Sequence, residues 1–196
     1  YKPFTMVDGE GFRCAIYVSG CIFNCKGCYN KSIQDFGNGK TYTKELEDRI
    51  IKDLSHEKVQ GLTLLGGEPF LNTDVCLSLC KRVRSEFGNT RDIWAWTGYT
   101  YEELQESIGC NTVNSVKQSE LLSMVDVLID GRYVEEQKDL TGRLKVRGSW
   151  NQKIIDVQKS ILNSRLTLWE NDYELQKLVS FSFFTPSQNS PKLSII

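Results

Sequence analysis

Three thiols fall within eight residues, Cys21-Ile22-Phe23-Asn24-Cys25-Lys26-Gly27-Cys28. A loop that short can wrap all three sulfurs around one metal centre, and Gly20 and Gly27 let its backbone bend close. Soft thiolates in this arrangement suit an iron–sulfur cluster or zinc. Structural zinc wants a closed set of four ligands. The fourth would have to be Cys14, Cys110 or His56, and none stands at finger spacing. A [4Fe–4S] cube held by three cysteines leaves one iron open to a small molecule. Disulfides across the loop would leave one thiol over and need an oxidising compartment. On spacing alone, a cluster, a zinc site and an inert thiol loop all stand.

Composition narrows the rest. The chain has 7 Cys against 1 His, which argues against His-based triads and multi-His metal sites. Lys plus Arg number 24 and Asp plus Glu 25, so bulk charge gives no reason to expect nucleic acid as a partner. The length of 196 residues suits one domain with a short appendage. No stretch approaches the roughly 20 apolar residues of a membrane span, and no charged-then-apolar leader opens the chain. The expectation is a cytoplasmic protein whose thiols stay reduced.

The loops need a frame to hold them. Apolar, β-branched runs predict strands over 14–18, 62–65, 93–96 and 125–129. Helices are predicted over 43–54, capped by Thr43, and over 72–87, ended by Gly88. Thr100 and Glu103 form a capping box for a third. Alternation of this kind argues for βαβ units and a mostly parallel sheet. Ligands of such sheets sit beyond the C-terminal strand ends. The loops there, 20–30, 66–69, 97–99 and 130–132, are the Cys-, Gly- and polar-rich ones. They should converge.

At these residues the chain resembles the radical S-adenosylmethionine (radical SAM) enzymes. Asp8-Gly9-Glu10-Gly11-Phe12-Arg13 and Ser19-Gly20-Cys21 resemble the activating enzymes of glycyl-radical proteins. Cys25-Lys26-Gly27-Cys28-Tyr29-Asn30 resembles the branch that activates the anaerobic ribonucleoside-triphosphate reductase. Leu65-Gly66-Gly67-Glu68-Pro69-Phe70, Trp94-Ala95-Trp96-Thr97-Gly98-Tyr99, Leu128-Ile129-Asp130-Gly131 and Arg147-Gly148-Ser149-Trp150-Asn151-Gln152 continue the match. It covers roughly residues 3–161. Two positions depart from the wider pattern: many members have Pro where Glu10 stands, and an aromatic residue where Gly27 stands. Neither removes a ligand. The second bears on how an adenine is packed.

The resemblance implies an incomplete (β/α)6-type barrel with outer helices over residues 1–163. Residues 164–196 would be an extension, either a last strand over 179–184 or a partner-docking tail. It implies that Cys21, Cys25 and Cys28 hold one [4Fe–4S] cluster whose open iron binds S-adenosylmethionine. Reductive cleavage gives a 5′-deoxyadenosyl radical, which takes hydrogen from a glycine of the reductase. The electron comes from an external reductant such as flavodoxin. No side chain acts as acid or base, because the radical arises on the cofactor. Gly66, Gly67 and Glu68 would meet the methionyl part, Asp130 a ribose hydroxyl, Arg132 a carboxylate, and Gly27 and Tyr29 the nucleoside. Thr97 would add a hydroxyl. Rival readings are an activator of another glycyl-radical enzyme such as pyruvate formate-lyase, a deazapurine-forming radical SAM enzyme, and a non-enzymatic iron–sulfur or zinc module. Cys14, Cys76 and Cys80 read as core thiols, Trp94 and Trp96 as packing, and His56 as a surface residue.

Overall fold

The computed structural model describes residues 1–169, residues 109 and 111 excepted. The strand expected over 179–184 lies outside the described residues. Apolar runs form β2 (Phe12–Val18), β3 (Val59–Gly66), β4 (Asp92–Trp96) and β5 (Val127–Asp130), which lie side by side and parallel. Strand order follows chain order. Right-handed crossovers then all step the same way, so the helices land on one face. There Ile50, Ile51 and Leu54 of α1 (Lys44–Leu54) join Leu79 and Val83 of α2 (Thr73–Phe87). Leu104 of α3 (Tyr101–Ile108) and Leu121 of α4 (Val113–Met124) complete the cover over Ile16, Leu62, Leu64, Ile93 and Leu128. Cys14, Cys76 and Cys80 lie in this core, as expected. No helix among the described residues is long and apolar enough to cross a membrane.

The local signals hold. Thr43 accepts a hydrogen bond from the Leu46 amide at 3.3 Å, and Gly88 ends α2 at φ +56°. Thr100 and Glu103 cap α3 reciprocally, at 2.9 and 3.1 Å. The stretch between Thr100 and β5 forms two helices rather than one, because Thr112 and Ser115 make a second capping box.

The sheet is mostly parallel, as expected, but it does not repeat six strand–helix units. The sheet has six strands, but β1 (Lys2–Thr5) and β6 (Lys153–Asp156) run antiparallel to their neighbours. A parallel return needs a crossover of a dozen or more residues, usually helical. Residues 6–11 are too few for one. The connection over 131–152 is long enough, but it holds only a one-turn helix, Glu135–Gln137. α5 (Val157–Leu162) comes directly after β6. Beyond it the chain turns back along β6: the Asp156 amide donates to Thr167 O and the Trp169 amide to Ile154 O, both at 2.9 Å.

The second face of the sheet is built differently. Trp94, Val127, Ile129 and Ile154 cluster there with Trp96, Val146 and Trp169. At its lower edge Arg13 is fully buried. Its guanidinium donates to Thr63 Oγ1 (2.7 Å) and Leu62 O (2.8 Å) and lies 2.6 Å from Asp92 Oδ1. Removing one partner of a buried pair strands the other. Arg13→Met should therefore lower the unfolding free energy by roughly 2–4 kcal/mol. Urea unfolding checks this, and an unchanged midpoint would show that the network carries no net stability.

Candidate metal centre and cofactor site

The four loops beyond the parallel strands meet around one cavity of about 370 Å³. Cys21, Cys25, Gly27, Cys28 and Tyr29 come from the loop after β2, and Gly66, Gly67 and Glu68 from the end of β3. Thr97 and Gly98 follow β4, while Gly131, Arg132 and Tyr133 follow β5. The convergence expected from the strand pattern is thus present, on the C-terminal side.

Backbone hydrogen bonds lock the cysteine loop to its neighbour. The Gly67 amide donates to Val18 O (2.7 Å), and the Glu68 amide to Gly20 O (2.8 Å). Cys21 is held from behind, its amide donating to Gln34 O at 2.8 Å. Asn72 spans the same junction, donating to Ser19 O (3.0 Å) and Glu68 O (2.9 Å). A methyl group at Gly66 would strike the Val18 carbonyl, and one at Gly67 the backbone of Gly20. The paired glycines therefore serve this strand-to-loop approach first. Gly67→Ala should force the loops apart and cut iron uptake on anaerobic reconstitution at least several-fold. Full loading, read by iron content, would show that the approach is not needed.

Several side chains sit elsewhere than their expected roles require. Glu68 is fully buried, and both carboxylate oxygens are engaged. It accepts from the Phe70 amide (3.0 Å), Thr97 Oγ1 (2.8 Å) and the Gly98 amide (2.7 Å). So Glu68 and Thr97 tie the β3 and β4 loops together at the cavity wall. Burial pushes the Glu68 carboxyl up to about 7 against those three donors. Asp130 is also fully buried, and it does not line the cavity. It accepts from the Tyr101 amide (2.9 Å) at the start of α3 and from the Lys153 amide (3.0 Å), with Lys153 Nζ at 3.3 Å.

Arg132 does face the cavity. It pairs with Glu103 through Nη1 at 3.0 Å, and its guanidinium lies 4.4 Å from the Phe23 ring centre. Tyr29 is fully exposed at the rim. Gly27 has φ +73°, and a side chain there would run into the Glu135 carboxylate. Phe23, Trp96, Tyr133, Lys138, Gly148 and Gln152 also line the space. Sequence reasoning gave these residues no role in the site, although Trp96, Gly148 and Gln152 lie in matched motifs.

The donor set suits a cluster. All three thiols of the loop are free, partly exposed and turned to one cavity. Burial raises the Cys21 thiol, helped by the charge of Glu68 and by the other two thiols. Loading must therefore displace a proton held there, as thiolate ligation requires. Among the described residues no three His, Cys, Asp or Glu side chains gather as a single ion would need. A cube does not ask for that, because each thiolate takes its own iron.

Fold and site together define an α/β protein with three free cysteines of one loop lining a cavity at the C-terminal end of its parallel strands. Residues 7–155 match the family described as "4Fe-4S single cluster domain". More particular is the likeness to proteins named "Anaerobic ribonucleoside-triphosphate reductase-activating protein". That of Vibrio cholerae serotype O1 is 44% identical over 79% of this chain and 94% of its own length. That of Escherichia coli strain K12 is 39% identical over the same shares. That of Enterobacteria phage T4 is 37% identical over 78% of this chain and 88% of its own. The chain belongs to the family of anaerobic ribonucleoside-triphosphate reductase-activating proteins.

Proposed function

We propose that this chain is a radical SAM activating enzyme that installs a glycyl radical on an anaerobic ribonucleoside-triphosphate reductase. The observation that carries the reading is the meeting of Cys21, Cys25 and Cys28 with the Gly66-Gly67 backbone and Arg132 in one cavity. Bound there, the cluster and S-adenosylmethionine would supply the one-electron cleavage that yields a carbon radical able to take hydrogen from glycine. The chain's own residues bind and orient. The three thiolates hold one [4Fe–4S] cluster, with one iron left for the cofactor. The Gly66 and Gly67 backbone borders the methionyl part, where side chains would crowd it. Arg132 offers its remaining guanidinium donors to a carboxylate. Glu68 and Thr97 act as positioning residues through the bonds between loops.

The sheet is, in this reading, the open half of a radical SAM barrel. A glycine loop of a large partner reaches the cavity past its rim, where Tyr29 is fully exposed, and the residues after 163 form an extension to the barrel. An external one-electron reductant such as flavodoxin completes the reaction, in the reducing cytoplasm.

The test is anaerobic reconstitution with iron and sulfide, then reduction with S-adenosylmethionine present. A [4Fe–4S] signal and 5′-deoxyadenosine are expected, and absence of either sinks the radical SAM reading. Adding the reductase should then give a glycyl radical by electron paramagnetic resonance. A radical on pyruvate formate-lyase instead would leave the chemistry and replace the partner.

A further inference from the structure

Tyr133 sits in a slot shaped by two glycines. A methyl group at Gly27 would lie 3.2 Å from its Cε1, and one at Gly148 would lie 2.9 Å from Cδ2 and 3.4 Å from Cε2. One ring edge is therefore set against the cysteine loop and the other against the segment before β6. The hydroxyl donates to Glu135 Oε2 at 2.7 Å, which fixes the far end of the ring.

The backbone that carries Tyr133 is held as firmly. Gln152 Nε2 donates to Gly131 O (2.9 Å), Asn151 Nδ2 to Arg132 O (2.8 Å), and the Val134 amide to Ser149 Oγ (3.2 Å). Gln152 Oε1 in turn accepts from the Gly148 amide at 2.8 Å, so the wall of the slot is anchored too. The ring is half-buried, and it lines the cavity beside Gly27 and Cys28.

An aromatic ring held at both edges and at its hydroxyl presents a face of fixed orientation. Heteroaromatic bases gain about tenfold or more in affinity from such a platform. The cysteine loop itself carries no side chain at Gly27, and the fully exposed Tyr29 ring has no comparable support. We infer that Tyr133 is the stacking platform for the purine of the bound nucleoside cofactor, and that Gly148 is a glycine so that the ring can stand there, with Gly27 leaving room for both the ring and the Glu135 carboxylate that holds its hydroxyl. This rests on the reading that S-adenosylmethionine occupies the cavity.

The experiment uses anaerobically reconstituted protein and S-adenosylhomocysteine, which binds without being cleaved. Affinity is read by calorimetry, with cluster absorbance as the check on loading. Tyr133→Phe keeps the ring and should bind within about twofold of the original. Tyr133→Leu keeps bulk without the π face and should bind about tenfold more weakly. Gly148→Ala, which pushes the ring without removing it, should also weaken binding, and it decides the matter if Tyr133→Leu fails to fold. If the unaltered protein loads a cluster but binds no S-adenosylhomocysteine, the reading beneath the proposal fails. If it binds and neither Tyr133→Leu nor Gly148→Ala weakens it, the platform is overturned. Equal losses in the Phe and Leu variants would overturn it as well, by assigning the effect to the Glu135 hydrogen bond.

Discussion

Cys25→Ser is expected to abolish cluster loading, with iron content and visible absorbance at background after reconstitution. The reason is the lack of a substitute. Cys25 lines the cavity with Cys21 and Cys28, and a three-thiolate cube has no ligand to spare. Cys14, Cys76 and Cys80 are no more than 1% exposed and face the helix-covered side of the sheet. Cys110 is exposed in the connection between α3 and α4, away from the cavity lining. Without a cluster, 5′-deoxyadenosine and the glycyl radical on the partner should both be lost. Cys76→Ser is the contrast. A hydroxyl in an apolar core costs about 1–3 kcal/mol, so its unfolding midpoint should fall while loading persists. A Cys25→Ser protein that still loads and turns over would remove Cys25 from the ligand set, and with it the reading of the loop.

Glu68 gives the second large effect. Glu68→Ala would leave the Phe70 amide, the Gly98 amide and the Thr97 hydroxyl without their acceptor. Each donor so stranded costs about 1–3 kcal/mol, so a total loss of about 3–9 kcal/mol is expected, enough at the upper end to unfold a domain of ordinary stability. The pH dependence has a definite sign. The folded carboxyl is pushed up from its ordinary 4.5 to about 7. Folding therefore favours the protonated form. That contribution is complete below about 4.5 and is lost as pH rises through about 7, about 3 kcal/mol in all. Glu68→Gln has no proton to lose. Urea unfolding of the cluster-free proteins across this window should show the original losing stability relative to the Gln variant as pH rises. Parallel pH profiles would mean that Glu68 does not titrate there. Above pH 7 the charged carboxylate remains the better acceptor for three donors, so Glu68 still binds the loops together.

The local rules were legible. Thr43, Gly88 and the Thr100–Glu103 pair mark helix ends by chemistry that acts within one turn. The parallel strands were legible too, because burial on both faces leaves continuous apolar runs. The edge strands were not. Lys2–Thr5 is short and largely solvent-facing, and Lys153–Asp156 becomes a strand only by pairing with β5. Nothing in either segment's own pattern sets its direction.

Three thiols in one loop and glycine-rich turns after apolar strands are short-range facts, and from them the amino-acid sequence alone determined which loops meet and at which end of the sheet. The directions of the side chains were decided in three dimensions. In the fold Asp130 accepts from the Tyr101 and Lys153 amides, and Glu68 from the Gly98 amide and the Thr97 hydroxyl. Tyr133 had no role until Gln152, Asn151 and Ser149 folded its loop against Gly27. A buried polar atom takes whichever partner the fold brings within reach, and spacing along the chain does not say which partner that is.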